Sequence, residues 1–255
     1  MKVSIITVCF NSAATIRDAI NSVLAQSHTD IEYIVIDGAS TDETADILRE
    51  HKKQINRIIS EPDGGIYDAM NKGIEISTGE IIGILNSDDF FASPNVVKDV
   101  VDVFQKHDSA DIVFGDVVFV SPGDLKAVTR FYSSRKFRPW KLRFGYMPPH
   151  PATFVKKDVY ERFGLYSLQY QISSDYEMFI RWLVTEKLAY RRIDEVLVHM
   201  RTGGKSTSGI ASSISLNREI IRACVSNGLY TNWLFLVPKI PFKLLELVRK
   251  PGKRT

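Results

Sequence analysis

The sequence has very little cysteine and no long apolar run. Cys9 and Cys224 are the two cysteines among 255 residues, so a disulfide framework is not expected, and their separation excludes a zinc site made of cysteines. No stretch reaches the roughly 18 apolar residues that a transmembrane helix needs. The N-terminal residues lack the cleavage pattern of a signal peptide. These absences favour a reducing compartment, and we expect a cytoplasmic protein.

Several common phosphate-binding and hydrolytic motifs are also missing. The first predicted strand is not followed by G-x-G-x-x-G, which argues against a dinucleotide site of the Rossmann type. The chain has no G-x-x-x-x-G-K-[ST], no G-x-S-x-G and no H-E-x-x-H. Phosphate binding would therefore depend on a metal ion and basic side chains rather than on a glycine-rich loop.

Positive charge is concentrated in two stretches, although the net charge is only +3. Residues 126–143 combine basic side chains with aromatic rings and contain no acidic residue, and residues 239–255 carry Glu246 as their one acid. Such stretches bind nucleic acid, anionic membranes or phosphorylated ligands, or they are solvated surface. No nucleic-acid recognition motif accompanies them, so we expect no nucleic-acid partner.

Apolar runs and amphipathic stretches alternate over the first 95 residues. Val3–Cys9 and residues 32–36, 55–60 and 80–85 are predicted strands, and residues 13–26, 42–51 and 66–76 are predicted helices. This alternation predicts an α/β fold with a mostly parallel sheet flanked by helices. Ligands bind beyond the carboxyl ends of the strands in such sheets. Those ends carry Asn11, Asp37, Glu61, Asp63, Asp88 and Asp89.

The alternation is less regular after Pro94. We predict helices over 95–107, 157–163, 173–185 and 210–226, and strands over 111–120, 152–155 and from 191 towards His199. Residues 201–208 are predicted to form a Gly/Ser-rich loop. The tail, residues 229–249, is apolar and basic, and we find no internal repeat.

The most informative stretch is Asn86-Ser87-Asp88-Asp89, which follows a short apolar run. Two adjacent carboxylates repel each other unless a cation or hydrogen bonds offset the charge. Hard oxygen ligands favour Mg²⁺ or Mn²⁺, which are commonly shared with a substrate diphosphate. The alternative is a pair of loop aspartates that caps the next helix, which Ser93-Pro94 would start.

Four segments in order carry a resemblance to a known family. They are VSIITVCFN (3–11), VIDGASTDET (35–44), EPDGGIYDAMNKG (61–73) and ILNSDDF (84–90). Together they resemble the inverting family 2 glycosyltransferases of the GT-A fold, and the third segment resembles the branch used in bacterial capsule, O-antigen and exopolysaccharide assembly. The resemblance implies a catalytic domain over 1–210, with a nucleotide-binding half (1–95) and an acceptor-side half (96–210). Residues 211–255 would then be a helical, amphipathic, basic tail.

The resemblance implies a nucleotide-sugar donor, expected to be UDP-linked, and a set of donor-binding residues. Asp37 corresponds to the carboxylate that accepts the uracil N3–H, and Gly38 replaces a second aspartate found in many relatives. Asp88 corresponds to the carboxylate on the ribose and metal side, and Asp89 to the direct ligand of Mn²⁺ or Mg²⁺. Asn86 replaces a frequent aspartate. The other expected nucleotide-binding residues are Thr7, Asn11, Glu61, Asp63 and Lys72.

Asp175 corresponds to the aspartate of the family's "E-D" signature and is the expected general base, with Ser174 replacing the usual glutamate. The alternative is that Asp175 complements the dipole of a helix that Ser173 or Ser174 caps. Both interpretations are compatible, because a base at the start of a helix still faces the cleft.

Three further residues are candidates for acceptor or diphosphate contacts. His150 lies between two prolines and would contact the acceptor, ligate metal or simply pack in its loop. His199 lies near the position of a third metal ligand in some GT-A enzymes. Arg201 begins the Gly/Ser-rich loop, which would either close over the diphosphate or form a plain surface turn.

The expected activity is transfer of a sugar, with inversion, to a hydroxyl of a lipid-linked glycan. The tail would lie on the anionic inner face of the cell membrane or pack back on the catalytic domain. The substitutions at Gly38, Asn86 and Ser174 keep open a non-catalytic module that binds a nucleotide-sugar or scaffolds a glycan-assembly complex. A sugar nucleotidyltransferase is disfavoured, because the loop after the first strand has no glycine and no lysine.

Overall fold

The computed structural model describes residues 1–203 and 209–237, with the backbone alone for 209–212. Within these residues, nine strands form one sheet with the order β3-β2-β1-β4-β8-β6-β9-β5, and β7 pairs with β6. The strands are β1 (Val3–Cys9), β2 (Ile31–Asp37), β3 (Arg57–Ser60), β4 (Ile81–Ile84), β5 (Phe90–Phe91), β6 (Ile112–Ser121), β7 (Asp124–Tyr132), β8 (Thr153–Lys156) and β9 (Tyr190–Arg201). The helices are α1 (Ile16–Leu24), α2 (Thr44–Glu50), α3 (Ile66–Ile76), α4 (Val96–Lys106), α5 (Lys157–Phe163), α6 (Ser174–Ile180), α7 (Gly209–Ser226) and α8 (Trp233–Leu236).

The first four strands of the order are parallel, as predicted. β1 lies between β2 and β4, and Cys9 pairs with Asp37 in register. Alternate residues of β1 face opposite cores: Ile5 belongs to the core that includes residues of α1, α2 and α4, whereas Ile6 belongs to the core that includes residues of α3 and α6. Burial on both faces explains why these strands are continuously apolar.

The other half of the sheet is mixed. β8 is antiparallel to both β4 and β6, whereas β9 is parallel to β6 and β5 is antiparallel to β9. The structure places the first part of the basic stretch 126–143 in β7, which pairs antiparallel with β6. The sequence did not predict β7, because its side chains are largely exposed and show no apolar alternation.

The helix predicted over 210–226 is present as α7, and the short helix α8 follows it. The Asn232 side chain caps α8 by accepting hydrogen bonds from the Leu234 and Phe235 N–H groups at 3.0 and 3.2 Å. Most of the predicted membrane-binding tail, residues 238–255, lies outside the described residues, as do residues 204–208 of the Gly/Ser-rich loop. The division at residue 210 stays a prediction.

Candidate active site

The loops that follow β1, β2 and β4 are joined by hydrogen bonds at the carboxyl edge of the sheet. The Asn11 N–H donates to Ser40 Oγ at 2.8 Å, and Asn11 Oδ1 accepts from the Thr41 N–H at 2.8 Å. The hydroxyls of Ser12 and Ser87 lie 2.8 Å apart. Asn11 therefore ties two of the loops together, in a left-handed backbone conformation with φ 49°.

Asp37 is fully buried at the end of β2. Its carboxylate accepts hydrogen bonds from the hydroxyls of Ser40 and Ser60 at 2.5 and 2.6 Å. Thr7, another expected nucleotide ligand, is also fully buried, and its Oγ1 accepts from the Tyr33 hydroxyl at 3.1 Å. In this structure the side chains of Asp37 and Thr7 therefore form hydrogen bonds with other side chains of the protein.

Asp63 lies beside Gly38, in the space that the second aspartate of relatives would need. A Cβ added at Gly38 would be 2.5 Å from Asp63 Oδ2. The other carboxylate oxygen, Oδ1, accepts from the Gly65 N–H at 2.9 Å. Sequence analysis named Asp63 but not this proximity, which depends on how the β3–α3 loop folds back on β2.

Lys72 is tied to the loop that carries Asp63. Its Nζ is 2.8 Å from Glu61 Oε1 and 3.6 Å from Asp68 Oδ2, and it donates to the Pro62 carbonyl at 3.1 Å. The Glu61 carboxylate raises the pKa of Lys72. Lys72 therefore braces the loop beside the expected base site.

Asp88 and Asp89 lie in the turn between β4 and β5. Asp89 is almost fully buried, and burial together with the neighbouring Asp88 charge raises the pKa of Asp89 well above its usual value. Burial also raises the pKa of Asp88. The Asn86 amide contacts Asp89 Oδ2 at 3.5 Å. Two adjacent acids with raised pKa values are stabilised as carboxylates by a bound cation.

Arg201 is the last residue of β9 rather than part of the Gly/Ser-rich loop. It belongs to the strand because it pairs with Val120 of β6. Its guanidinium donates to the Asp88 carbonyl at 2.7 Å and forms an ion pair with Asp18. Arg201 therefore links the turn that contains Asp88 and Asp89 (the acidic turn) to Asp18 of α1.

The side-chain oxygens of Asn86, Asp88 and Asp89 are the kind of ligand that a divalent ion prefers, and substrate oxygens would complete its coordination. In residues 1–203 and 209–237, no three His, Cys, Asp or Glu side chains are grouped closely enough to hold a metal. Asn86 Oδ1 and His199 Nδ1 are buried without a hydrogen-bond partner, and burial lowers the pKa of His199. One or two carboxylates plus substrate phosphates are a common way of binding Mg²⁺.

Asp175 lies in the first turn of α6 and contacts Tyr67 of α3. Its Oδ1 accepts from the Tyr67 hydroxyl at 3.1 Å and from the Tyr176 N–H at 2.8 Å. Asp175 therefore bonds a backbone N–H at the start of α6 and also lines a cavity, so both interpretations of its role remain compatible. Burial raises the pKa of Asp175, while the nearby His150 partly opposes this. A carboxylate with a raised pKa is a better proton acceptor.

Glu219 of α7 holds the segment that leads into α6. Its carboxylate accepts from the N–H groups of Gln171, Ile172 and Ser173, each at 3.0 Å. Burial acts to raise the pKa of Glu219, but these donors outweigh burial and lower it. Ser174 instead donates to the Ser167 carbonyl at 2.8 Å. The sequence around Glu219 does not indicate this role, because the partners of Glu219 are more than 40 residues away along the chain.

His150 and Asp175 line a common cavity. His150 Nε2 and the Tyr166 hydroxyl are 2.6 Å apart, and burial lowers the pKa of His150. The cavity has a volume of about 230 Å³. His150 is therefore both a packed loop residue and a wall of the cleft next to the candidate base.

Comparisons with known proteins agree with this architecture. A family model described as Glycosyl transferase family 2 matches residues 4–163. A PGL/p-HBAD biosynthesis glycosyltransferase of Mycobacterium bovis (strain BCG / Pasteur 1173P2) is 29% identical over 218 residues, which cover 84% of this chain and 82% of the relative. An uncharacterized glycosyltransferase of Mycobacterium tuberculosis (strain ATCC 25618 / H37Rv) is 34% identical over 193 residues, covering 74% and 72%.

Two solved structures have a similar fold. The crystal structure of S. aureus TarS 1-349 in complex with UDP-GlcNAc has a TM-score of 0.68 and 17% identity, covering 94% of this chain and 72% of that one. The mannosyltransferase PcManGT from Pyrobaculum calidifontis, in complex with GDP-Man and Mn²⁺, has a TM-score of 0.63 and 15% identity, covering 97% and 73%. The expected GT-A-type α/β fold is confirmed. Because the family model matches more than half of its residues, this chain belongs to glycosyltransferase family 2.

Proposed function

We propose that this glycosyltransferase moves a sugar from a UDP-linked donor to a hydroxyl of a glycan, with inversion. The observation that supports the proposal is a chain of contacts, with one shared cavity, that runs from α3 through Asp175 to β9 and the turn of Asp88. Asp63 adjoins α3, Tyr67 of α3 bonds Asp175, and Asp175 lines the cavity that extends to Met200, between His199 and Arg201. Arg201 in turn contacts the turn of Asp88.

The donor would bind across the carboxyl ends of β1, β2 and β4. Asp63 would accept a base N–H in place of Asp37, because Asp37 is fully buried and both of its oxygens already accept hydrogen bonds from serines. Asn11, Glu61 and Lys72 would line the same side of the donor site. The similar solved structures hold UDP-GlcNAc, UDP or GDP-Man, which supports a nucleotide donor without fixing its base.

Asp88 and Asp89 would hold Mn²⁺ or Mg²⁺ together with the donor diphosphate. When bound, the ion neutralises the charge that develops on the departing diphosphate. Asn86 would contribute an amide oxygen in place of a third carboxylate, and Arg201 would keep the turn in position. His199 is a further candidate, because it pairs with Phe90, the residue after Asp89, and its Nδ1 has no hydrogen-bond partner.

Asp175 would take the proton of the acceptor hydroxyl as that oxygen attacks the anomeric carbon. The bond from this carbon to the diphosphate oxygen breaks in the same step, and the nucleotide diphosphate leaves with the electron pair. Attack opposite the leaving group inverts the configuration, so no covalent enzyme intermediate is needed. Glu219 and Tyr67 would keep the carboxylate in place.

An anionic membrane surface is the proposed location of the acceptor, which would be lipid-linked. No helix of the described residues is long and apolar enough to cross a membrane. However, the exposed rings of Trp140 and Tyr230 contact the stacked Phe144 and Phe235. Exposed Trp233 lies in α8 with Phe235 and completes this aromatic patch. Basic residues flank this aromatic patch: Lys136, Arg138, Lys141 and Arg143. Aromatic and basic side chains together suit the inner face of a membrane, as in capsule, O-antigen or exopolysaccharide assembly.

Turnover of a donor panel tests the proposal. The purified chain is incubated with UDP-sugars, GDP-mannose, Mn²⁺ and lipid-linked acceptor extracts, and release of the nucleoside diphosphate is measured. Product NMR then gives the anomeric configuration. Inverted product from a UDP-sugar, lost in Asp175→Asn, is the expected result.

A non-catalytic module that binds a nucleotide-sugar, or a scaffold for glycan assembly, is the second candidate. Gly38, Asn86 and Ser174 replace acids that the family pattern usually has, which favours this alternative. Tight UDP binding with no turnover of any donor and acceptor pair would select it over the enzyme.

A further inference from the structure

The cavity beside Asp175 has a sheet on one side and a loop on the other. Val117, Phe119 and Met200 line it from β6 and β9, where Phe119 and Met200 are paired in register. The opposite wall is the segment 145–151, which contains Met147 and three prolines. The walls are therefore mainly aromatic, aliphatic and thioether groups.

Polar groups around the cavity mostly bond to the protein. The Tyr132 hydroxyl donates to the Met147 carbonyl at 2.5 Å, and His150 pairs with Tyr166 at 2.6 Å. The Arg130 guanidinium lies 4.6 Å from the centre of the Phe119 ring, a cation–π contact. Asp175 remains as the carboxylate that faces the cavity.

This lining does not suit a fully hydroxylated sugar. Each buried hydroxyl without a partner costs about 1–3 kcal/mol, and the apolar walls offer few partners. A volume of about 230 Å³ exceeds the apolar cavity of about 150 Å³ that takes up benzene in another protein. The space is thus large enough for one apolar ring.

Strand β9, which lines the cavity, also contacts the acidic turn of Asp88 and Asp89. Met200, in the cavity wall, lies between His199, which pairs with Phe90, and Arg201, which bonds the Asp88 carbonyl. Strand β9 therefore links the cavity beside Asp175 to the proposed donor site.

We propose that the acceptor places an apolar ring face in this cavity, next to the hydroxyl that Asp175 deprotonates. The ring is an aryl group or the deoxygenated face of a sugar, and the inference rests on the proposed sugar transfer. The substrate class is therefore an acceptor whose reacting hydroxyl has an apolar neighbour.

Ligand-observed fluorine NMR with para-fluorophenol tests the cavity directly. Met200→Glu places a charge in the wall and should weaken binding of the probe about tenfold or more. The matched Met200→Leu keeps the wall apolar and should stay within about twofold. Met147→Gln, on the opposite wall, provides a second variant, and thermal unfolding verifies that each protein is folded.

Displacement of the probe separates the two sources of an apolar face. Phenol or methyl fucoside should displace it about tenfold better than methyl galactoside, which differs from the fucoside by one hydroxyl. Stronger displacement by phenol indicates an aryl acceptor, and stronger displacement by the fucoside a deoxygenated sugar. Equal displacement by methyl galactoside, or unchanged probe binding in folded Met200→Glu and Met147→Gln, overturns the inference.

UDP binding, measured by calorimetry with Mn²⁺ in the same proteins, keeps the two proposals apart. The cavity variants should leave the UDP affinity within about twofold, because they lie on the acceptor side. UDP binding with no specific probe binding rejects the apolar acceptor alone. Probe binding with no UDP binding rejects the proposed donor instead.

Discussion

The carboxylate of Asp63 and the backbone of Gly38 are packed against each other: a Cβ on residue 38 would lie 2.5 Å from Asp63 Oδ2. The β3–α3 loop thus supplies a carboxylate in the space that a side chain on residue 38 would occupy, while Asp37 stays at the end of β2. The absence of a side chain at position 38 is what makes room for Asp63. We therefore propose that Asp63 contributes to binding the nucleotide base.

Asp63→Asn should weaken UDP binding by about 10–100-fold, because a charge-assisted hydrogen bond contributes roughly 1.5–3 kcal/mol. Gly38→Ala should also weaken it, since the new methyl group displaces the carboxylate. Calorimetry measures both affinities. Asp46→Asn, an exposed change on α2, is the matched control. UDP affinities within twofold of the parent in both variants would remove Asp63 from the donor site.

Asp175→Asn should reduce transfer by about 10²–10⁴-fold while UDP still binds. The pKa of Asp175 is raised above 3.8 by burial, so the acidic limb of the pH–rate profile should lie above the range of an ordinary aspartate. The folded state binds the proton of this acid more tightly than the unfolded state does, and Asp175→Asn should therefore stabilise the protein at neutral pH. Rate profiles and thermal unfolding check the two effects, and full activity in the variant would contradict the assigned base.

Glu219→Gln should lower kcat more than it changes KM for the donor, because Glu219 fixes the segment before Asp175 without touching the nucleotide side. Its folded pKa lies below 4.5, so its contribution to stability is present above that value and is lost as pH falls through the folded pKa. Acid unfolding curves should then differ less between parent and variant at low pH than at neutral pH. Glu186→Gln, at an exposed position, provides the control. A Glu219→Gln protein with unchanged kcat would show that the contact is only structural.

The aromatic patch should bind anionic vesicles. Trp140→Ala and Trp233→Ala should each reduce co-sedimentation with phosphatidylglycerol vesicles several-fold, and together more, because both rings are about half exposed, at 56% and 49%. Leu168→Ala changes an exposed leucine that is 62% accessible and outside the patch, and it should have no effect. Equal binding to neutral vesicles, or no loss in the double variant, would argue against a membrane surface.

The N-terminal half of the fold was predictable because its signals are local. Strand β1 is a continuous apolar run, and the helical spacing of Ile16, Ile20 and Val23 marks the face of α1 that packs on it. Parallel pairing then brings the strand ends to one edge, which is why Asp37 and Asp88 were expected there.

The contacts that shape the site were not predictable, because they join distant parts of the chain. Tyr67 and Asp175 are 108 residues apart, and neither helix shows that they meet. Strand β7 was missed because an exposed edge strand needs no apolar alternation. Arg201 was assigned to a loop because two glycines follow it at positions 203 and 204, whereas pairing with Val120 keeps it in β9.

The most direct test of the central claim is the metal dependence of UDP binding, measured by calorimetry in the parent and in Asp89→Asn. Two carboxylates that share an ion with the diphosphate predict UDP binding that is at least about tenfold tighter with Mn²⁺ in the parent. Asp89→Asn should lose this difference. Equal UDP affinity with and without Mn²⁺ in the parent, or an undiminished Mn²⁺ effect in Asp89→Asn, would contradict the account.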